Sequence, residues 1–394
     1  MKHLDSRSRL RVTCRWRWTR RSRLAFLILL LPVPVWAQGL TCRALPGGAA
    51  LPVLGQAEAW PALADELFLG RDVRAGLLSD GSAVVIDRAK SELIRVDRKT
   101  GRIATLARKG QGPGEIGAIL GLVVTAGDTI AVVDLANRRL TRLNPQGGIV
   151  SLAPYLPAGL PVYLGATGRD VIEVSRSLPQ RGKAEPLSMA IRLLGPESTT
   201  VLRTVELRDP ASEPGLFSPT GFAALLDASH LVLASGVVPD VSVASLRASA
   251  DSVIHLDLGA PERLTREIAA HVLSDALPQI PKESRPGMIA TMLASVPMAT
   301  FYPMFSRLFV SSSGHLWVQR TYPAASAANE PGAPATLSMD NFGGYLWQQF
   351  GHTGVASAEC RAPTDWRVLG LGRGWILFAR DDATNTQLFT WRPR

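Results

Sequence analysis

The chain is poor in the groups that covalent and metal chemistry need. Of its 394 residues only three are cysteine and six are histidine. No Gly-x-Ser-x-Gly turn occurs, so nothing marks a hydrolase nucleophile. The histidines form no i, i+4 pair and no His-Glu-x-x-His, which removes the usual helical zinc site. A phosphate cradle is also missing. The Gly-rich stretch "ARKGQGPGEIGA" (107–118) has Lys109 ahead of its glycines and Glu115 behind them. A P-loop needs Gly-Lys-Ser/Thr at the loop's end, and a carboxylate there would repel phosphate. The longest apolar run, "LAFLILLLPVPV", has twelve residues and two prolines, short of the roughly 20 that span a bilayer.

That run follows a basic stretch and precedes "VWAQ", the order of a secretory signal peptide over residues 1–37 with cleavage after Ala37. Arg20-Arg21 hints at twin-arginine export, but Arg23 stands where that signal wants an apolar residue, so ordinary secretion is expected. Thr41 is too large for a lipid-anchor motif at Cys42. The protein is expected to be exported, to the periplasm or beyond, without stable membrane insertion. Residues 1–37 hold nine of the 43 basic residues and one of the 33 acidic ones, so the remainder carries a net charge of only about +2. The high isoelectric point belongs to the leader, and nucleic acid is not an expected partner. Two cysteines remain, Cys42 and Cys360. In an oxidising compartment they are a disulfide candidate, with two unrelated free thiols as the alternative.

What the chain does have is repetition. "SDGSAVVIDRAKSELIRVDRKTGRI", from Ser79, maps onto "AGDTIAVVDLANRRLTRLNPQGGIV" when shifted by 47 residues, placing Asp87 on Asp134, Leu93 on Leu140 and Gly101 on Gly148. Each unit reads turn, apolar strand, polar turn, alternating strand, Gly turn, strand. Looser copies begin at Val162, Leu308 and Val368, and a degraded one lies between Phe217 and Leu258. Periods of 40–50 residues built from short strands point to propeller blades. The expected fold is all-β, a six-bladed β-propeller with a small helical insertion. Asp87 and Asp134 recur with the blade, so they read as turn scaffolding. The pair Asp381-Asp382 reads as a solvated hairpin turn, and His255 and His315 as structural.

These motifs resemble those of NHL-repeat-like and TolB-like six-bladed propellers, and more closely a bacterial secreted six-bladed β-propeller family. Its G-x-G-P-G-E loop is matched by Gly110, Gly112, Pro113, Gly114 and Glu115, with Ile116 where an aromatic is commoner. Its N-x-R hairpin is matched by Asn137, Arg139, Leu140 and Gly148. Its late blade motif is matched by Leu308, Gly314, Leu316, Trp317 and Val318, with Ser311 in place of an Asp. The resemblance implies a propeller over 70–394, with 38–69 closing the last blade. It also implies that Cys42 and Cys360 are joined as the start of the chain pairs with that blade. The Gly loop would carry the chain from the outer strand of one blade to the inner strand of the next. Glycines would there supply positive φ, and Glu115 would accept loop N–H groups. A ligand role for Glu115 or Lys109 is the competing reading.

The helical insertion is expected over about 261–298. "PERLTREIAAHVLSDAL" spaces Leu264, Ile268 and Val272 four apart behind Pro261, and "SRPGMIATMLASVPM" aligns Met288, Met292 and Val296. Packing on the disc and an adaptable apolar surface are both open for it. "PAASAANEPGAPATLS", from Pro323, reads as a loop. Residues at the starts of inner strands should meet at the channel mouth. The candidate ligand contacts are therefore Arg74, Tyr302, Arg307, Trp366 and Arg367, residue types that favour recognition. The expected function is a secreted recognition scaffold for a peptide, glycan or protein partner, with no catalytic residue, cofactor or metal. The alternative is a metal-dependent propeller enzyme of the lactonase or lyase kind.

Overall fold

The structure is a computed structural model. It describes residues 40–46, 56–63, 69, 73–87, 90–177, 186–195, 198–207, 215–217, 221–248, 251–277, 280–321, 346–363, 365–381 and 386–393. Residues 1–37, read above as a signal peptide, the Ala/Pro-rich segment from Pro323, and Asp382 lie outside them.

Two short N-terminal strands come first, β1 (Thr41–Ala44) and β2 (Glu58–Ala59). Blade 1 follows as β3 (Val73–Leu77), β4 (Ala83–Asp87), β5 (Glu92–Val96) and β6 (Ile103–Ala107). Blade 2 is β7 (Ile119–Val124), β8 (Ile130–Asp134), β9 (Arg139–Leu143) and β10 (Ile149–Pro154). Blade 3 is β11 (Leu160–Thr167), β12 (Asp170–Arg176), β13 (Ser188–Leu194) and β14 (Thr199–Glu206). Blade 4, the degraded repeat, is β15 (Phe222–Leu225), β16 (His230–Ala234), β17 (Asp240–Ser245) and β18 (Asp251–His255). Two helices intervene, α1 (Arg266–Ala276) and α2 (Arg285–Ser295). Blade 5 is β19 (Phe305–Val310), β20 (Leu316–Arg320), β21 (Leu346–Phe350) and β22 (Ala356–Arg361). Blade 6 has β23 (Trp366–Gly372), β24 (Trp375–Asp381) and β25 (Thr386–Trp391).

Each blade is an antiparallel meander, and the six innermost strands touch in the cyclic order β3, β7, β11, β15, β19, β23 and back to β3. The protein is a six-bladed β-propeller. Its second strands, such as "AVVID" and "IAVVD", are buried along their whole length. The reason is that successive side chains point to opposite faces and each face meets another blade. Ala83 and Val85 face the core shared with blade 6, while Val84 and Ile86 face blade 2. One apolar cluster fills each of the six blade interfaces, and a seventh lies under the helices.

Ring closure uses both ends of the chain, but across two blades. β2 pairs with β25 as the fourth strand of blade 6, where Trp60 Nε1 donates to Thr390 Oγ1 at 2.7 Å. β1 instead adds a fifth strand to blade 5. Cys42 lies directly across from Cys360 in the β1–β22 pair, and the two form a disulfide. The bond therefore sits one blade earlier than the resemblance implied. Cys360 belongs to β22, the outer strand of blade 5, whose free edge is what β1 covers.

The Gly loop joins β6 to β7. Glu115 accepts from Gly112 N at 2.7 Å, and Arg139 of the next hairpin donates to the carbonyls of Gly112 (2.8 Å) and Glu115 (2.6 Å). Asn137 Nδ2 donates to Gly110 O at 3.0 Å and to Asp134 at 2.7 Å. Only Gly114 of the three loop glycines has positive φ, at 77°. At Gly110 a Cβ would instead overlap the Glu115 carboxylate and displace it from its place in the loop. Positive φ, expected at Gly112 as well as Gly114, is thus confined to Gly114. Asp134 also accepts from Gly117 N at 2.8 Å, and its blade-1 equivalent Asp87 from Lys90 N at 3.3 Å.

Candidate functional site

The innermost strands enclose a central cavity of about 730 Å³, to which all six contribute lining. That size lies within the range of small-ligand pockets. Close approach of neighbouring blades builds its wall. A Cβ at Gly370 of β23 would strike the Ala75 carbonyl of β3. Four of the six inner strands carry a bulge in their pairing with the second strand, at Ile119/Gly121, Pro161/Tyr163, Phe305/Arg307 and Val368/Gly370. A bulge bends a strand locally and re-aims side chains.

The inner strands all begin on one face of the disc, because the chain crosses the disc four times in each blade before the next inner strand starts. Arg74, Arg307 and Arg367 fall within the first three residues of β3, β19 and β23. These strands belong to blades 5, 6 and 1, consecutive in the ring, and all three arginines line the cavity. Arg74 is exposed and the other two are half-buried. Arg307 Nη1 donates to Gln319 Oε1 at 2.9 Å. Arg367 pairs with Asp381 at 3.0 Å and donates to the Leu69 carbonyl at 3.1 Å. Asp381 also accepts from Thr386 Oγ1 at 2.6 Å. A fourth arginine, Arg373, lines the cavity from the β23–β24 turn at the opposite mouth.

The other half of the same mouth is apolar. Leu120 of β7, Leu160 and Val162 of β11, and Phe222 of β15 stand at the starts of the inner strands of blades 2, 3 and 4. Leu160 is 42% exposed. Tyr163, also in the lining, has its phenol pushed up to about 12 by burial, and its oxygen accepts from Leu225 N at 3.2 Å.

Two of the five candidate contacts lie elsewhere. Trp366 is 4% exposed and stacks on Phe389 with ring centroids 4.1 Å apart, in the core between blades 5 and 6. Tyr302 is buried among Leu264, Ala269, Val272 and Ala299 beneath the helices, where burial, then the charge of Glu262, raises its phenol pKa. Neither lines the channel. Alternation decides this for Trp366: it is the neighbour of Arg367 in one strand, so the two point to opposite faces.

The helical insertion connects β18 to β19, two strand ends on the arginine-bearing face. α1 starts later than Pro261 suggested, with Thr265 as N-cap accepting from Ile268 N at 3.2 Å. The insertion is tied to the blade 3–4 connection by Leu216 N donating to Pro297 O at 2.7 Å, and by Ala299 N donating to Leu216 O at 2.9 Å. Ile289 is the buried residue of α2, while Met288 and Val296 stay exposed. The helices thus pack through one edge and leave part of the methionine stripe in solvent.

Among the described residues no three His, Cys, Asp or Glu side chains group closely enough to hold a metal ion. None of the described residues lining the cavity is of these four types. His255 pairs with Asp240 at 2.7 Å, and His315 Nδ1 lies 2.8 Å from Ser313 Oγ. No helix among the described residues is long and apolar enough to cross a membrane.

No family model and no curated protein sequence matches the chain. Solved structures do. A member of the DUF4221 family from Bacteroides vulgatus matches with a TM-score of 0.52 at 10% identity, over 90% of this chain and 98% of the other. A proposed exported protein from Bacteroides fragilis matches with a TM-score of 0.50 at 10% identity, over 86% and 95%. Virginiamycin B lyase from Staphylococcus aureus matches at 0.40 and 10% identity, over 89% and 99%. The chain shares its overall fold with the two Bacteroides proteins.

Proposed function

We propose that this protein is an exported recognition scaffold that takes a peptide, glycan or protein partner at the central channel, on the face where the inner strands begin. One observation carries the reading. The channel mouth presents three arginines on adjacent blades, and the described residues that line it include no carboxylate, imidazole or thiol. Arginine is enriched where proteins bind, and its planar fork gives directional hydrogen bonds. Bond-breaking would call for a positioned acid and base or a metal site. Export is supported by the signal-like leader and by the Cys42–Cys360 bond, since disulfides persist in oxidising compartments.

The test is elemental analysis of protein purified without chelators, joined to a lactone and ester hydrolysis panel. The scaffold reading expects neither stoichiometric metal nor turnover. One tightly held calcium or zinc per chain, lost together with hydrolysis, would replace it with the metal-enzyme alternative.

A further inference from the structure

The mouth of the channel is divided by charge, and the division follows the blades. Blades 5, 6 and 1 contribute Arg307, Arg367 and Arg74, whereas blades 2, 3 and 4 contribute Leu120, Leu160, Val162 and Phe222 at the same level. The arginines span three neighbouring strands and the apolar side chains span the three opposite. A neutral sugar would leave the apolar half unused. A highly charged ligand would have to desolvate against it, which is costly without pairing partners. A wholly apolar ligand would strip water from guanidinium groups and give nothing back.

Resting on the reading of the channel as a ligand site, we infer that it takes an amphipathic carboxylate: an acid group held on the arginine side with an apolar body against blades 2–4. Guanidinium meets carboxylate through paired N–H donors, the geometry that favours arginine over lysine. Arg74 and Arg307, from blades 1 and 5, flank Arg367, whose place in the wall is fixed by its pair with Asp381 at 3.0 Å and its bond to the Leu69 carbonyl. The cavity's volume of about 730 Å³ accommodates either a medium-chain fatty acid or the last few residues of an apolar peptide ending in its free α-carboxylate. The two sources share the same chemistry.

Isothermal titration calorimetry on the full disulfide-bonded chain separates them. Four probes are used: dodecanoate, dodecanol, acetyl-Phe-Leu-Phe with a free carboxylate, and the same peptide as its amide. At least one acid should bind at least about tenfold more tightly than its neutral twin, the size of one charged hydrogen bond. The double variant Arg74→Gln/Arg307→Gln should erase that difference. The comparison of acid with neutral twin on the unaltered protein needs no variant, so a folding defect in the double variant does not blunt the test. Which acid wins identifies the source. Leu160→Asp, at an exposed position of the apolar wall, should weaken the acid that binds.

Equal binding of acid and neutral twin, weakened by Leu160→Asp, would overturn the inference and leave the channel as the site. Binding untouched by both the arginine and the Leu160 variants would overturn the inference and the channel reading together. No binding of either acid at millimolar concentration would overturn the inference alone.

Discussion

Gly114 holds φ at 77° in the loop that carries the chain from blade 1 to blade 2, a conformation in which a β-branched side chain is strained. Gly114→Val should therefore lower stability by about 1–3 kcal/mol. Gly112 has no such φ, and a Cβ there would meet only the mobile end of Glu115 at 3.0 Å, so Gly112→Ala should cost less. Thermal melts of the two variants check the order. Equal losses would mean that close contact, not φ, sets the requirement. The function of Glu115 was readable in outline, because a lone carboxylate among glycines has N–H groups to accept from. Arg139's part was not, since its three-carbon reach to the Gly112 and Glu115 carbonyls depends on the fold of the following hairpin. The same limit applies to the candidate contacts. Position near an inner-strand start was legible for Arg74, Arg307 and Arg367. The phase that turns Trp366 into the interblade core depends on where the strand begins, and one residue of error reverses it. Tyr302 is buried by an insertion whose docking partner, Leu216, lies 86 positions earlier in the chain.

At the level of elements, blade 3 carries the one ion pair among the described residues that is buried on both sides. Glu173 of β12 and Arg192 of β13 meet at 2.7 Å with side chains 0% and 5% exposed. Ser175 donates to the same carboxylate, Arg192 donates to the Leu156 carbonyl at 2.7 Å, and its guanidinium lies 5.5 Å from the Tyr155 ring centroid. Removing one member leaves the other charge buried, so Glu173→Ala should destabilise the fold by about 3–5 kcal/mol. Chemical denaturation measures it. A loss under 1 kcal/mol would mean that water reaches the site. A different element governs a pH response. In the turn between β15 and β16, desolvation acts to raise the Asp227 carboxyl, but the Ser229 N–H and the His230 ring outweigh it and hold the carboxyl at about 2, below its ordinary 3.8. A depressed folded value adds stability above pH 3.8 and loses it as pH falls through 2. Asp227→Asn should lower the melting temperature at neutral pH and make it less sensitive to pH between 4 and 2. Identical acid limbs for the two proteins would refute that role. The blades built around strong repeats were legible because Asp87 and Asp134 mark the same turn. Blade 4 was legible only as a degraded unit, since its short β15 "FAAL" carries little pattern of its own.

For the whole molecule, the open question of any ring is how it shuts. Here the short β2 hydrogen-bonds to β25, and a covalent bond fixes β1 to the outer edge of blade 5. The disulfide closes a sequence separation of 318 residues, for which chain entropy gives a contribution of up to about 6 kcal/mol. Cys42→Ser should lower the denaturation midpoint without altering blades 1–4, and non-reducing peptide mapping should recover the Cys42–Cys360 pair. Two alkylatable thiols in the native protein would contradict the bond. Two cysteines near opposite ends suggested the link, but the choice of blade 5 over blade 6 was illegible, because β1 and β2 are four and two residues long and have little preference for any one partner.

Trp60 and Thr390 lie 330 positions apart, and this spacing has a temporal meaning. A ribosome adding about 5–20 residues per second makes the N-terminal strands tens of seconds before their partners exist. Throughout that interval the stretch around Trp60 has no sheet to join, and blade 6 cannot be completed until the last strand has emerged. Synthesis itself thus keeps the ring open until its last blade has been made.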